Sequence, residues 1–505
     1  MVDERPRPTL WRRFPRSDTS VLLSLGVLLC FGRRCQKLET LGTLDRRTML
    51  ACSVARLGGR SSLGAVKTGA RRTRQRGTTI DVARWFTTSV RLQQDSNSET
   101  ATWRPPPAGT KVFACMSGGV DSSVAARLLL EQGYDVEPVF MRNWDTLDEQ
   151  SGSGGCEWER DWEDVRTICR ENLGALKPRL VDLSREYWSH VFEPALEGWA
   201  AGVTPNPDVT CNQHIKFRVL PERLLAEDPS AWIATGHWAR LGPSPFDPSQ
   251  PALFRSSNTG KDQSHYLSTS PIAALRRTLF PLGAYSSKDD VRDLAREWGM
   301  HTGEKKDSMG ICFVGVRKGF SGFLDSYLPP SPGNILDVTG KVVGRHNGLW
   351  RYTVGERARI GGQSEAMFIA SKDAESNTIT IVPKSHPMLR CVSLLSNDFR
   401  WISPSHPPPE VGPPQGFECE AQTRSLPFGA LAKCTVRRWG KRSLDIDLHE
   451  PLVGVSPGQT VALYKGDWCL GGGTIQSTLT LADRPEVGIA EVAENRPLRS
   501  KAVAI

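Results

Sequence analysis

Apolar residues recur in short runs that alternate with helical stretches between residues 111 and 235. Strands are predicted over Lys111–Met116, 135–141, Arg179–Asp182 and Trp232–Thr235. Helices are predicted over 122–132, 161–172 and 186–200, the first of them ending at Gly133. Strands and helices that alternate at this spacing form βαβ units, so we predict an α/β fold with a parallel sheet covered by helices on both faces.

The pattern changes from about residue 335, where short strands separated by turns replace the helical period. Strict alternation over 444–448 and the turn 465–467 between two apolar runs are typical of half-buried strands in hairpins. We therefore predict a catalytic domain over 108–318, a small β-rich central domain over 319–387 and a C-terminal β-barrel over 388–482. Residues 483–505 are predicted to be a tail.

Charge separates the first 100 residues from the rest. They carry 19 Lys and Arg against 8 Asp and Glu, a net charge of +11, while the remaining 405 residues carry 45 against 47. A basic segment rich in Arg, Ser and Thr and poor in acids is typical of an organellar transit peptide, which predicts a mitochondrial location. A disordered tail, a start at Met49 and a secretory signal at the apolar run 21–31 remain alternatives. Because the body is nearly neutral, a nucleic-acid site there must be a local patch.

Membrane insertion and disulfide scaffolding are both disfavoured. The run 21–31 is the only long apolar one and falls short of the roughly 20 residues that a membrane-spanning helix needs. Twelve cysteines in 505 residues are too dilute for a disulfide framework, and none has C-x-x-C spacing. We predict reduced thiols, no zinc site and no membrane partner.

The sharpest local signal lies between the first predicted strand and the first predicted helix. It is the run Ser117, Gly118, Gly119, Val120, Asp121, Ser122 and Ser123. Two glycines let the backbone approach an anion, and the N-terminus of the following helix supplies a positive dipole, so the run predicts a polyphosphate site. It is not a Walker loop, because no G-K-[ST] places a lysine on the outer phosphates.

Two further segments each contain a cysteine in a chemically suggestive setting. Residues 202–212 hold Asn206, Pro207, Asp208 and Cys211, and two prolines within three residues make that loop rigid. Cys211 lies near a helix start and a lysine, which favours a reactive thiol, although a small buried hydrophobe would have the same pattern. Cys312 lies in an apolar run after a glycine, where packing explains it equally well. Between the two, the stretches 234–240 and 261–267 supply donors, cations and an aromatic ring suited to an RNA loop.

These motifs together resemble the tRNA-specific 2-thiouridylase family, and with the basic extension its mitochondrial branch. The phosphate loop alone resembles that of the N-type ATP pyrophosphatases, which cleave ATP between the α and β phosphates. The wider resemblance spans about residues 111–481. It includes M-R-N-W at 141–144, N-P-D at 206–208, G-H-W-A-R at 236–240, K-D-Q-S at 261–264 and G-I-C-F at 310–313. The chain departs from the family at Glu356, where Gln is common, and at 424–426, where an aromatic-basic pair is expected.

The resemblance implies a site and a reaction. ATP and magnesium would be held by the loop at 117–123, with Met141 and Gly236 lining the nucleotide site. Asp208 would be the acid/base, Cys312 the persulfide carrier and Cys211 the residue that resolves it, leaving a Cys211–Cys312 disulfide. The tRNA anticodon loop would contact Asn206, Pro207, Asp208, His237, Lys261, Asp262, Gln263 and Gln459. A persulfide donor or relay protein would supply the sulfur.

Two other functions remain open at this stage. An amidating synthetase with the same loop type would need an ammonia source or an amino-acid site and would not need two cysteines. A non-catalytic RNA-binding sulfur carrier would not need an intact ATP loop. Because both the loop and the cysteines are present, we expect ATP-dependent 2-thiolation of the wobble uridine in mitochondrial tRNAs.

Overall fold

A computed structural model describes residues 102–144, 157–307, 320–403, 416–425, 430–438 and 442–484. The transit-peptide segment, the tail from residue 485 and Cys312 lie outside the described residues. Within the described ranges, no helix is both long and apolar enough to cross a membrane.

The first domain is built on a fully parallel five-stranded sheet. Its strands are β1 (Lys111–Met116), β2 (Asp135–Arg142), β3 (Arg179–Asp182), β4 (Trp232–Thr235) and β7 (Thr278–Leu279), in the order β3-β2-β1-β4-β7. The predicted bounds of β1, β3 and β4 are confirmed, and β2 is one residue longer than predicted. The α/β prediction is therefore confirmed, with β1 at the centre of the sheet.

Helices cover both faces of this sheet. They include α1 (Val120–Glu131), α2 (Glu157–Glu171), α5 (Ser264–Leu267), α6 (Ile272–Leu275), α7 (Lys288–Glu297) and α8 (Phe320–Leu324). Two longer helices have three successive segments each: α3 comprises Ser184–Tyr187, Trp188–Phe192 and Glu193–Ala200, and α4 comprises Pro207–Cys211, Asn212–Val219 and Leu220–Glu227. The middle segment of each is π-helical, a geometry that is common at functional sites. Short 3-10 turns lie at His301–Glu304, Leu349–Arg351 and Pro387–Leu389.

The side chains of β1 alternate between two hydrophobic cores, one on each face of the sheet. Val112, Ala114 and Met116 belong to one core with α1 and α2, whereas Phe113 belongs to a second core with α3 and α4. Successive strand residues point to opposite faces, so an almost wholly apolar strand is what a two-sided sheet requires.

The central domain is a five-stranded sheet in the order β10-β11-β12-β8-β9. Its strands are β8 (Gly333–Leu336), β9 (Val342–His346), β10 (Arg357–Ala358), β11 (Met367–Asp373) and β12 (Thr378–Pro383). Trp350 from this domain is buried in the same core as α3 and α4. The central domain therefore packs on the first domain.

The C-terminal domain is a closed six-stranded barrel, as predicted. Its strands are β13 (Arg390–Trp401), β14 (Phe417–Gln422), β15 (Ala432–Arg438), β16 (Leu444–Val453), β17 (Thr460–Lys465) and β18 (Trp468–Thr480). Pairing of β13 with β18 closes the barrel, so no edge of these six strands is left open.

A hairpin from the first part of the chain extends the barrel sheet. Strands β5 (Ala239–Pro243) and β6 (Pro251–Arg255) pair with each other, and β6 pairs with the first residues of β18. Leu253 of β6 and Cys469 of β18 lie directly opposite and share one core. The segment that follows β4 therefore bridges the first domain and the barrel.

The first described residues pack against the first domain at the amino end of β4. The Trp103 ring packs against the Trp232 ring at a tilt of 44°, with centroids 6.3 Å apart. Its indole Nε1 donates to the Arg276 carbonyl (3.1 Å), and its amide donates to the Pro248 carbonyl (2.7 Å).

We expect Trp103→Ala to lower the free energy of unfolding by about 1 to 2 kcal/mol, because half-buried aromatic area and one hydrogen bond are lost. Urea denaturation measures this change, with the exposed neighbour Arg104→Ala as the control. Equal stability of the two variants would contradict the anchoring role.

Candidate active site

The loop 117–123 runs from the carboxyl end of β1 into α1. Gly118 has φ +73°, and a Cβ there would lie 2.6 Å from the Asp161 carbonyl oxygen, so only glycine fits. The Ser122 and Ser123 hydroxyls donate to the Gly119 carbonyl (3.1 and 2.9 Å) and hold the turn. No side chain caps the first turn of α1, which leaves amide groups suited to a phosphate.

The end of β4 presses against this same helix start. A Cβ on Gly236 would lie 2.8 Å from the Ser122 nitrogen and 2.9 Å from the Asp121 carbonyl carbon. Met141 lies near the carboxyl end of β2, paired with Val181 of β3. The predicted nucleotide residues therefore lie at one edge of the sheet, at the carboxyl ends of β1, β2 and β4.

Two lysines supply the positive charge that the loop itself lacks. The Lys288 side chain, only 11% exposed, places its Nζ 2.5 Å from Asp121 and 3.1 Å from Asp307. Lys305 donates to the Gly118 carbonyl (3.0 Å) and to Asp161 (2.7 Å) and Asp164 (2.6 Å). Sequence reasoning missed both, because they follow the loop by more than 160 residues and no local motif marks them.

Asp307 forms ion pairs with three basic side chains, one of which is Lys288. It accepts from Lys261 (2.7 Å) and Arg292 (2.9 Å) as well as from Lys288. Burial opposes its ionisation, yet the hydrogen bond from Lys261 and the charge of Lys288 lower the pKa of Asp307 to about 2. Of these cations, Lys288 contacts the phosphate loop directly through Asp121.

The acidic loop at 206–208 opens helix α4. The Asn206 side chain caps the helix by accepting from the Val209 amide (3.4 Å), and Pro207 takes the first helical position, as both residue types prefer. Burial raises the pKa of Asp208 above its ordinary value, with Lys216 opposing the shift. A carboxyl group whose pKa is raised by burial is a candidate acid or base.

Lys216 lies within electrostatic range of the acidic loop and of the segments at the ends of β1 and β4. Its charge acts on Cys115 near the end of β1, on Asp208 and on His237. His237 shares a hydrogen bond of 2.8 Å between its Nδ1 and the Thr235 hydroxyl, and burial followed by Lys216 lowers its pKa well below the usual value. The imidazole is therefore neutral at physiological pH. Its ring lies 5.8 Å from the Phe217 ring of α4, so the segment after β4 contacts α4 and, through Gly236, the phosphate loop.

Of the two cysteines in the predicted mechanism, the structure describes only Cys211. Cys211 is the fifth residue of α4, 2% exposed, and packs in the core with residues of α3 and α4. This burial fits the alternative of a small buried hydrophobe, and the reactivity of the thiol stays a prediction. The Cys211–Cys312 disulfide stays a prediction, because Cys312 lies outside the described residues.

Of the three residues 261–263, only Lys261 is exposed. The Asp262 side chain is fully buried and accepts from Arg255 (3.1 Å) and from the Ser256 amide (2.9 Å). Gln263 accepts from the Trp238 amide (2.8 Å) and braces the segment after β4. The structure therefore places Asp262 inside its own loop, not on a face open to RNA, and the tRNA contact of each residue stays a prediction.

Gln459 lies where the barrel meets the loop that precedes Asn206. Its Nε2 donates to the Thr204 carbonyl (2.7 Å), and the Thr204 amide donates to the Pro457 carbonyl (3.0 Å). Gly458 has φ +90°, and a Cβ there would lie 2.8 Å from the Thr204 nitrogen. The tRNA contact of Gln459 stays a prediction. In the structure, the Gln459 side chain holds the loop that precedes Asn206.

The central domain contacts the same loop through Lys372. Its Nζ donates to the Tyr352 carbonyl (2.8 Å) and to the Thr204 hydroxyl (3.2 Å). Burial lowers the pKa of Lys372 to about 8, with Glu356 opposing the shift. All three domains therefore meet on the segment that leads into Asn206 and Asp208.

Comparison with known proteins identifies this arrangement. The tRNA-specific 2-thiouridylase MnmA of Idiomarina loihiensis is 38% identical over 384 residues, covering 74% of this chain and 98% of the relative. That of Klebsiella pneumoniae is 40% identical over 380 residues, again covering 74% and 98%. The chain belongs to the tRNA-specific 2-thiouridylase family. Membership decides against the amidating synthetase and the non-catalytic carrier.

Three domain families match in succession. They are described as the tRNA methyl transferase HUP domain (residues 110–316), the tRNA methyl transferase PRC-barrel domain (321–383) and the aminomethyltransferase beta-barrel domain (392–475). A solved 4-thiouridine synthetase in complex with RNA and ATP is 16% identical, and the match covers 42% of this chain and 47% of that chain. Its TM-score of 0.25 is too low to add to the family assignment. The HUP match and the loop geometry together indicate ATP binding by this 2-thiouridylase family member.

We expect Gly236→Ala to weaken ATP binding by about tenfold or more. The added methyl group would displace the amides at the α1 N-terminus that would hold phosphate, and a tenfold loss corresponds to about 1.4 kcal/mol of binding free energy. Calorimetric titration with ATP measures the loss. Gly361→Ala is the matched control, because nothing lies within 4 Å of its Cβ position, and wild-type affinity in the Gly236 variant would contradict the close-approach argument.

We expect Asp208→Asn to abolish thiolation and yet raise stability at pH 7. Because burial raises the pKa of Asp208, the folded state favours the protonated acid, and ionisation costs stability as the pH rises through the folded pKa. Asparagine removes that cost at pH 7 and changes little near pH 3, below the unfolded pKa of about 3.9.

Urea denaturation at the two pH values measures the effect. Asp228→Asn is the control of opposite sign, since hydrogen bonds from Ser230 lower the pKa of that carboxyl. A loss of stability in Asp208→Asn at pH 7 would contradict the buried-carboxyl assignment.

Proposed function

We propose that this chain replaces the 2-oxygen of the wobble uridine in mitochondrial tRNAs by sulfur, at the expense of ATP. The observation that carries the proposal is that the segment after β4 contacts the phosphate loop through Gly236 and contacts helix α4, in whose first turn Asp208 lies, through His237. Membership of the 2-thiouridylase family names the reaction class.

The first step is activation of a poor leaving group. The uridine 2-oxygen attacks the α-phosphorus of ATP, pyrophosphate leaves, and AMP becomes esterified to that oxygen. Amides at the start of α1, together with Lys288 and Lys305, would stabilise the charge that develops on the phosphates. The target base must turn out of the anticodon stack to reach this point, and the rigid loop at 205–208 is a suitable receptor.

Magnesium fits this site through a single carboxylate. Asp121 lies at the loop, and Mg²⁺ on nucleotides is usually bound by one or two carboxylates plus substrate phosphates. Among the described residues no cluster of three or more potential metal ligands occurs. When bound, it would neutralise phosphate charge.

The second step is sulfur transfer. A persulfide on Cys312, delivered by a donor or relay protein, attacks carbon 2 of the activated uracil, and AMP leaves with the original oxygen. The Cys211 thiolate then attacks the Cys312 sulfur, which releases the 2-thiouridine and forms a Cys211–Cys312 disulfide. A dithiol reductant supplies the two electrons that reopen it. Asp208 and neutral His237 would exchange protons and hydrogen bonds beside the base.

We expect Cys312→Ser to abolish thiolation while ATP and tRNA binding persist, because the persulfide carrier is lost. Cys211→Ser should also stop turnover but let a persulfide accumulate on Cys312 when a sulfur donor is present. Mass spectrometry of tRNA nucleosides and of the cysteine peptides measures both. Cys391→Ser, in the barrel, is the control, and full thiolation by Cys312→Ser would refute the carrier role.

The proposed mitochondrial location rests on the net charge of +11 that the first 100 residues carry. A reporter fused behind residues 1–95 is expected to enter mitochondria, as followed by imaging and by protease protection. The same fusion with the arginines of 71–76 replaced by glutamine should be imported less. A secreted or cytosolic reporter would overturn the location.

A further inference from the structure

Two cysteines of the barrel face each other across a strand pair and take no part in the proposed reaction. Cys419 on β14 lies directly opposite Cys434 on β15, and their Sγ atoms are 3.6 Å apart. Cys419 is 8% exposed and Cys434 is fully buried. Neither is in a disulfide in the structure.

The backbone already has the spacing that a disulfide requires. Directly opposed residues in an antiparallel pair have Cα atoms about 4.5 to 5.5 Å apart, inside the range of about 4.4 to 6.8 Å found for disulfides. Only the sulfur atoms must move, from 3.6 Å to a bond length of about 2.05 Å. Side-chain rotation can supply that movement without a change of strand register.

We propose that Cys419 and Cys434 are a reversible oxidation site that forms a cross-strand disulfide. A peroxide is the oxidant: one thiol takes an oxygen atom from it to give a sulfenic acid, and the thiol proton and the released hydroxide form water. The second thiol displaces the hydroxyl as a second water, so two thiols and one peroxide give one disulfide and two waters. A dithiol reductant reverses the step. The proposal does not depend on the thiolation mechanism.

Other barrel cysteines lack this geometry. Cys391 lies opposite Leu452, and its Sγ donates to the Ser393 carbonyl (3.3 Å). Cys469 lies opposite Leu253 and Tyr464. These two residues are therefore matched controls of similar burial in the same domain.

The disulfide would join the two strands of the β14–β15 hairpin, whose residue Ser425 contacts Tyr266. Beyond Cys419 on β14, the guanidinium of Arg424 donates to the Gly454 carbonyl, and Ser425 hydrogen-bonds Tyr266, whose pKa also responds to Asp208. A bond between the two strands closes a loop over 420–433 and restrains its unfolded ensemble. Oxidation should therefore stabilise the barrel and the hairpin end beside the acidic loop.

Peptide mapping tests the proposal directly. The full-length folded protein is treated with hydrogen peroxide, its remaining thiols are alkylated, and it is digested with trypsin without reductant. We expect peptides 401–424 and 434–437 to be joined, with two hydrogens fewer than their sum, and to separate after dithiothreitol. The oxidised protein should also melt at a higher temperature than the reduced protein.

Two variants make the result specific. Cys434→Ala should abolish the linked peptide and the rise in melting temperature, whereas Cys391→Ala should keep both. Alkylation of both cysteines after peroxide treatment, or linkage of Cys419 to another cysteine, would overturn the proposal. Because the wild-type map alone decides this, a poorly folded variant does not weaken the test.

Discussion

The reversal of strand order at β1 is the constraint on which the rest of the structure depends. The chain adds β2 and β3 on one side of β1 and then returns to place β4 and β7 on the other. At such a switch point the loops leaving neighbouring parallel strands diverge, and the crevice between them is where α/β proteins bind ligands. Here those loops are 117–123 after β1 and the segment beginning with Gly236 after β4. The close approach of Gly236 to the Ser122 amide follows from that topology.

The second requirement is a rigid seat for a very large substrate. Thr204 is held from the barrel by Gln459 and Pro457 and from the central domain by Lys372. Asn206 then caps α4, so Asp208 and the buried Cys211 lie at fixed positions in a helix whose preceding loop is held by three domains. Catalysis on one carbonyl of a tRNA gains most from positioning. This convergence explains why a small chemical step needs a chain with two β-rich domains.

Sequence reasoning predicted the parts of this structure that are local. The bounds of β1, β3 and β4 follow from apolar runs, and the phosphate loop follows from residues adjacent in the chain. It missed Lys288 and Lys305 because their charge reaches the loop only after folding. It also left the pairing of β6 with β18 undetected, since period-2 alternation predicts a strand and not its partner. Asp262 was assigned to tRNA from the resemblance, and no pattern in the sequence signals that its carboxylate is buried against Arg255.

The central claim is that the uridine 2-oxygen itself attacks ATP in the crevice between β1 and β4. Transfer of that oxygen can be followed with tRNA carrying ¹⁸O at the 2-carbonyl of the wobble uridine, in a single turnover with ATP and sulfur donor. The account predicts pyrophosphate and AMP whose phosphate carries the ¹⁸O label, in proportion to the 2-thiouridine formed. ADP as the product, or AMP without label, would contradict it.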